Sequence, residues 1–258
     1  MMHKQFVYFL LLPLFCLSDV ILEAEHKSLA PLVEYLVDIA TQHKVDQTKA
    51  VPLIAIGGCP GVGKTYFTKN LSLELHERGV NCMVLSLDHF NLSPEERRII
   101  GTEWDIRHFK VSELQYCLAS IYFGEKLISK PTYNQLTGEF GSEVLDLNNI
   151  DLILFDGLYA LCTKPPINFF DYCLAGIFLE ANKSDIYSWK WEREQKKVKH
   201  RTKEQFAKHM EVLFYDYHQN IEDSKKNASF LIKKDSKHNY ELEIQCSDMP
   251  NTSLPNAA

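Results

Sequence analysis

Gly58-Cys59-Pro60-Gly61-Val62-Gly63-Lys64-Thr65 matches the pattern G-x-x-x-x-G-K-[ST] at every fixed position. In such a loop the glycines let successive backbone N–H groups turn inward. The helix that follows aims its positive end at the same point, so the two together cradle phosphate oxygens. The lysine reaches the β- and γ-phosphates, and the hydroxyl beside it ligates magnesium. Gly58, Cys59, Pro60, Gly61, Val62, Gly63, Lys64, Thr65 and Tyr66 are therefore the expected nucleotide-binding residues, with Thr65 on the metal. Cys59 has two readings: a thiol activated by the helix N-terminus, or a small residue that fits the loop.

The flanks of this loop have the required character. Residues 51–56 form an apolar run broken at Gly57-Gly58, which predicts a buried strand. A helical stretch over 65–78 stops at Gly79, and residues 82–87 predict a second strand. Ser93-Pro94-Glu95-Glu96 has the form of a capping box with proline at the first helical position. A further helix is expected over 111–123, strands over 151–155, 174–179 and 230–233, and strongly charged helix from 185 to 220. Upstream, Ser28 and Pro31 suit the start of a helix over 28–40, whose Leu29, Leu32, Val33, Leu36, Val37 and Ala40 make one stripe. Residues 41–50 read as a polar linker and 247–258 as a loose tail. Unalternating strands separated by helices predict an α/β fold. Its three layers would hold about five mainly parallel strands, with helices on both faces and a helical lid.

Composition narrows the class. With 258 residues, 45% apolar and 24% charged, the chain has the make-up of a globular domain that needs no disulfide or structural metal. A net charge of −6 gives no general attraction to nucleic acid. The seven cysteines are odd in number and none forms a C-x-x-C pair, which fits a reducing, cytoplasmic setting. The apolar run over 6–17 is too short to span a bilayer easily and lacks a good cleavage site. It reads as a signal, an anchor or a packed helix, with membrane association the lesser expectation.

Two carboxylates stand where open α/β sheets build their sites, just beyond strand ends: Asp88 after the second strand and Asp156 after the strand at 151–155. A carboxylate there can take a proton from an attacking hydroxyl or hold magnesium.

At this point the chain resembles the uridine kinase, phosphoribulokinase and bacterial pantothenate kinase group of P-loop kinases, from about residue 51 to 240. Leu87-Asp88-His89-Phe90 is similar to the group's D-x-F-Y, whose aspartate is the usual base. Trp104-Asp105 is similar to its F-D pair, and Lys130-Pro131-Thr132-Tyr133-Asn134 to its P-x-Y-D segment. Leu152 to Leu161 resembles the apolar strand ending in E-G-I-x-A-L, and the basic stretch 186–203 takes the place of the lid.

The departures fall on the acceptor side. Asn91 replaces the tyrosine of D-x-F-Y, Asp156 replaces the glutamate, and no histidine and arginine follow Asn134 to hold a nucleoside base.

The resemblance implies ATP- and Mg²⁺-dependent transfer of a γ-phosphoryl group to a hydroxyl of a nucleoside-, pantothenate- or sugar-like metabolite. Asp88, Lys64 and Arg193 would be catalytic, Asp105, Tyr133 and Arg201 would bind the acceptor, and Thr65 and Asp156 the metal. The kinase domain would span 51–246, with an acceptor region at 88–141 and the lid at 186–203. The expected partner is a small-molecule acceptor rather than nucleic acid, and a homo-oligomer is left open. Asn182-Lys183-Ser184-Asp185 is a literal N-K-x-D, the guanine-reading motif of GTPases, but no D-x-x-G accompanies it. A GTPase or a non-catalytic nucleotide-binding regulator is therefore the alternative.

Overall fold

The computed structural model describes residues 16–46, 49–100, 105–134 and 137–245, with side chains from 29 onward. Most of the apolar run at 6–17, Trp104, Cys246 and the tail at 247–258 lie outside the described residues. Along the chain come α1 (Cys16–Val45), β1 (Leu53–Gly58), α2 (Lys64–Glu77), β2 (Cys82–Ser86) and α3 (Pro94–Ile100). These are followed by α4 (Val111–Tyr122), β3 (Leu127–Tyr133), β4 (Phe140–Asp146), β5 (Leu152–Asp156) and β6 (Ala175–Ala181). Then α5 (Lys183–Gln195), α6 (Lys203–Asn220), β7 (Phe230–Lys234) and β8 (Tyr240–Ile244) complete the described chain.

β1 and β5 are buried from end to end, which accounts for their unbroken apolar runs. They lie at the centre of a six-stranded sheet of order β2-β5-β1-β6-β7-β8. The first five strands are parallel and β8 alone runs antiparallel, paired with β7. Helices cover both faces, with α1 and α2 side by side on one of them. The carboxyl ends of β1, β2 and β5 therefore open onto one edge, where the phosphate loop and both strand-end aspartates meet.

Three expectations need correcting. The first helix begins at Cys16 rather than Ser28 and runs on to Val45, through the segment read as a linker. Pro31 thus sits inside a helix, where it removes one hydrogen bond. The helix persists because Leu32, Val33, Leu36, Ile39 and Ala40 are buried, and its end is tied down by Lys44 pairing with Asp151 at 3.2 Å.

The second correction concerns 88–146. Beyond the expected helices this region carries a separate antiparallel hairpin, β3–β4, in which Pro131 faces Ser142 and Tyr133 faces Phe140. A proline is tolerated there because the pair has two edges and no central strand.

Third, the charged stretch from 185 to 220 is two helices. α5 stops at Gln195, so Lys196 to Arg201 form a connection rather than helical lid. Glu194 organises that connection. It accepts hydrogen bonds from the Arg201 backbone N–H at 3.0 Å and guanidinium at 3.1 Å, and from Lys197 Nζ at 2.6 Å. The Lys197 bond foremost holds the Glu194 carboxyl down at about 2.

Candidate active site

The phosphate loop is shaped by what packs against it. Gly58 leaves β1 at φ 137°, and a Cβ at this position would lie 2.1 Å from the Leu179 carbonyl oxygen of β6. Only glycine fits so close an approach. The Cys59 N–H then donates to that same oxygen at 3.2 Å. Gly61 lies beneath α5, where a Cβ would come 2.7 Å from the Lys190 stem. The helix resembling a lid is thus already in contact with the loop.

Lys64 Nζ donates to the carbonyls of Gly58 at 3.1 Å and Cys59 at 3.2 Å, which places the ammonium inside the curve of the loop. Thr65 Oγ1 donates to Asp156 Oδ2 at 3.0 Å. Burial pushes the Asp156 carboxyl up and the Lys64 ammonium down, and each shift is opposed by the other's charge. Two groups desolvated in this way are arranged to gain from further charged partners. Magnesium in phosphoryl-transfer sites takes one or two protein oxygens plus phosphate oxygens and water, and the Thr65–Asp156 oxygen pair matches that donor set.

Asp88 occupies a 3-10 turn (Leu87–Phe90) at the carboxyl end of β2, its N–H donating to Ser86 Oγ at 3.3 Å. The buried Asn91 side chain closes the turn by donating to the Asp88 carbonyl at 2.8 Å. Asn91 thereby acts as a backbone clamp, a role for which a tyrosine is not required. The Asp88 charge is felt at both Lys64 and Asp156, so the three form one electrostatic unit.

A cavity of about 580 Å³ joins these parts. Its walls include Pro60, Gly61, Gly63, Lys64, Thr65 and Tyr66 of the loop, together with Asp88, Asp156, Tyr133, and Lys190 with Arg193 from α5, while Val62 is buried behind the loop. Cys59 is buried beneath, and burial pushes its thiol up to about 12, so the activated-thiol reading is overturned.

The structure does not bring Asp105 and Arg201 to this cavity. Asp105 caps a 3-10 turn (Ile106–His108), accepting from the Arg107 N–H at 2.8 Å and Nε at 2.9 Å, and Arg107 holds its carboxyl below the usual range. Arg201 is taken up by Glu194. Arg97 and His108 line the cavity without having been singled out in the sequence. The accessible signal for Arg97 was its position in the first turn behind the Ser93 capping box. Ser93 Oγ and the Glu96 carboxylate do exchange hydrogen bonds with each other's backbone N–H, at 3.2 and 2.8 Å.

Known proteins share parts of this arrangement. A family model described as "Chromatin associated protein KTI12" matches residues 51–120. A uridine kinase of Ureaplasma urealyticum is 24% identical over 44% of this chain and 56% of its own length. The uridine kinase of Ureaplasma parvum is 23% identical over 72% of this chain and 89% of its own. Among solved structures, D-glycerate 3-kinase from Cryptococcus neoformans superposes with a TM-score of 0.64 at 14% identity, covering 84% of this chain and 99% of that one. The fold is that of the P-loop kinase group which the sequence resembles. Among the described residues no helix is long and apolar enough to cross a membrane.

Proposed function

We propose that this chain is an ATP- and Mg²⁺-dependent kinase that phosphorylates a hydroxyl of a small metabolite. The observation that carries this reading is the single cavity in which Lys64, Thr65, Asp156, Asp88 and Arg193 converge. A hydrolase needs only the phosphate loop and a positioned water. Here the Asp88 carboxylate shares with the loop one cavity of about 580 Å³, a volume in the range of small-molecule sites.

In the reaction, the acceptor oxygen forms a bond to the γ-phosphorus as the bond from that phosphorus to the β–γ bridging oxygen breaks, and ADP leaves. The hydroxyl proton passes to the Asp88 carboxylate. Lys64 and Arg193 stabilise charge on the equatorial and departing oxygens, and α5, packed over the loop, limits the access of water. Thr65 and Asp156 would hold magnesium, which when bound would offset the negative charge of the phosphate oxygens.

The direct test is ADP release from ATP with nucleosides, pantothenate, glycerate and sugar phosphates offered one at a time. At least one acceptor should accelerate release well above the acceptor-free rate. Lys64→Ala should abolish that acceleration with an unchanged thermal melt. Asp88→Asn should lower kcat by at least a hundredfold with little change in nucleotide affinity, since the amide keeps the shape but cannot take a proton. Full turnover in Asp88→Asn would remove Asp88 as the base.

A further inference from the structure

One charge in the cavity is not used by this chemistry. Arg97, from α3, reaches over Tyr133 at the end of β3: its guanidinium carbon lies 5.5 Å from the ring centroid and Nη2 donates to the phenol oxygen at 3.1 Å. Its Nε is buried without a hydrogen-bond partner, and among the described residues no carboxylate pairs with it. Leaving a buried donor of a charged group without a hydrogen-bond partner is unfavourable. The phenol accepts from Arg97, so its own O–H proton remains to be donated. Two donors, one cationic, therefore converge on one wall of the cavity, and that wall belongs to α3 and β3 rather than to the loop and α5.

The nucleotide does not explain them, because Lys64, Lys190 and Arg193 already serve the loop side. A neutral acceptor would leave the guanidinium without a counter-charge in a confined space. A planar guanidinium fork beside a hydroxyl donor matches a carboxylate or a phosphate monoester.

We infer that the acceptor is an anionic alcohol: its hydroxyl faces Asp88 while its carboxylate or phosphate is held by Arg97 and Tyr133. This rests on the kinase reading above and narrows its acceptor class away from neutral nucleosides.

Two measurements test it. The first compares glycerol, glycerate and glycerol 3-phosphate as acceptors at fixed ATP and Mg²⁺. At least one anionic member should support ADP release under conditions where glycerol does not. Its KM should rise at least tenfold in Arg97→Met and several-fold in Tyr133→Phe, while Arg97→Lys should retain more affinity for the phosphate than for the carboxylate.

The second needs no turnover. With the loop saturated by a non-hydrolysable ATP analogue and Mg²⁺, malonate or inorganic phosphate should raise the unfolding temperature of the parent protein and not of Arg97→Met. Malonate and phosphate separate the carboxylate and phosphate sources. Equal use of glycerol and the anions, no anion effect on the parent, or the same effect in Arg97→Met would each overturn the inference. If the ATP analogue itself fails to stabilise the parent, the kinase reading fails instead, and the two failures are distinguishable.

Discussion

At His43 one side chain couples the helix before the phosphate loop to the solution pH. The ring is buried near the end of α1, with Nε2 at 3.3 Å from the Lys49 carbonyl. That nitrogen must carry the proton, which leaves Nδ1 bare, and Nδ1 is buried without a partner. Burial holds the ring below its ordinary value of 6.5. Lys126 pushes the same way, and the Lys49 carbonyl, Asp151 and Asp46 oppose it. Above that ordinary value both folded and unfolded chains keep the ring neutral, so its contribution to stability is complete. As the pH falls below it, the unfolded chain takes up a proton that the folded one refuses, and stability declines until the folded value is reached. Unfolding midpoints measured from pH 7.5 to 5 should therefore fall more steeply in the parent than in His43→Gln. Identical slopes would remove His43 as the cause. The sequence offered no warning of this residue. His43 stands in a stretch whose composition is polar, and only the path of α1 buries it.

Elements differed in how openly the sequence declared them. β1, α2 and β5 were legible because burial on both faces writes a continuous apolar run and the loop fixes their order. β8 was missed although Tyr240, Leu242 and Ile244 alternate with glutamates. That period belongs to a strand with one wet face, unlike the continuous apolar runs that mark the buried parallel strands. The β3–β4 hairpin was hidden by Lys130 and Pro131, residues that argue against a strand until the pair is seen to stand apart from the main sheet. Lys130 is nonetheless buried, paired with Glu143 at 2.5 Å and with His89 Nδ1 at 2.9 Å.

The start of α5 settles how the N-K-x-D resemblance should behave. Asn182 is the N-cap, the Asp185 N–H donates to its carbonyl at 3.0 Å, and its amide donates to the Asp185 carboxylate at 3.3 Å. Asn182 borders a separate cavity at the ends of β6 and the β7–β8 pair, and Asp185 lines neither that cavity nor the one at the loop. A carboxylate in a first helical turn is worth about 0.3–1 kcal/mol through the helix dipole. Asp185→Ala should lower stability by about that amount and leave the ATP-to-GTP affinity ratio unchanged. Competition titration with both triphosphates reads the ratio. A GTP preference that vanishes in the variant would return the chain to the GTPase alternative.

For the molecule as a whole, the open question is whether the segment before the phosphate loop is an appendage or part of the same cooperative unit. Composition divides the chain near residue 50, since a polar stretch separates the first helix from β1. The packing does not respect that division. α1 lies against α2 and β8, and Leu32, Leu36, Ile39 and Ala40 join the same continuous core as the central strands. Tyr35 packs at a tilt against Phe230 of β7 with ring centroids 5.1 Å apart, which links α1 to the half of the sheet away from β2. We propose that α1 is integral to the domain that binds nucleotide. Leu36 is fully buried, so Leu36→Ala removes its transfer energy and leaves a cavity, a loss of about 2–5 kcal/mol. For a domain of this size that is roughly 4–20 °C in the melting temperature. If α1 is integral, calorimetry should show one transition displaced downward. ATP with Mg²⁺ should still raise it, because ligand binding to the native state alone stabilises every part of a cooperative unit together. An appended helix would behave differently: the substitution would create a separate early transition insensitive to nucleotide and leave the main one in place. The number of transitions, and which of them nucleotide moves, decides between the two.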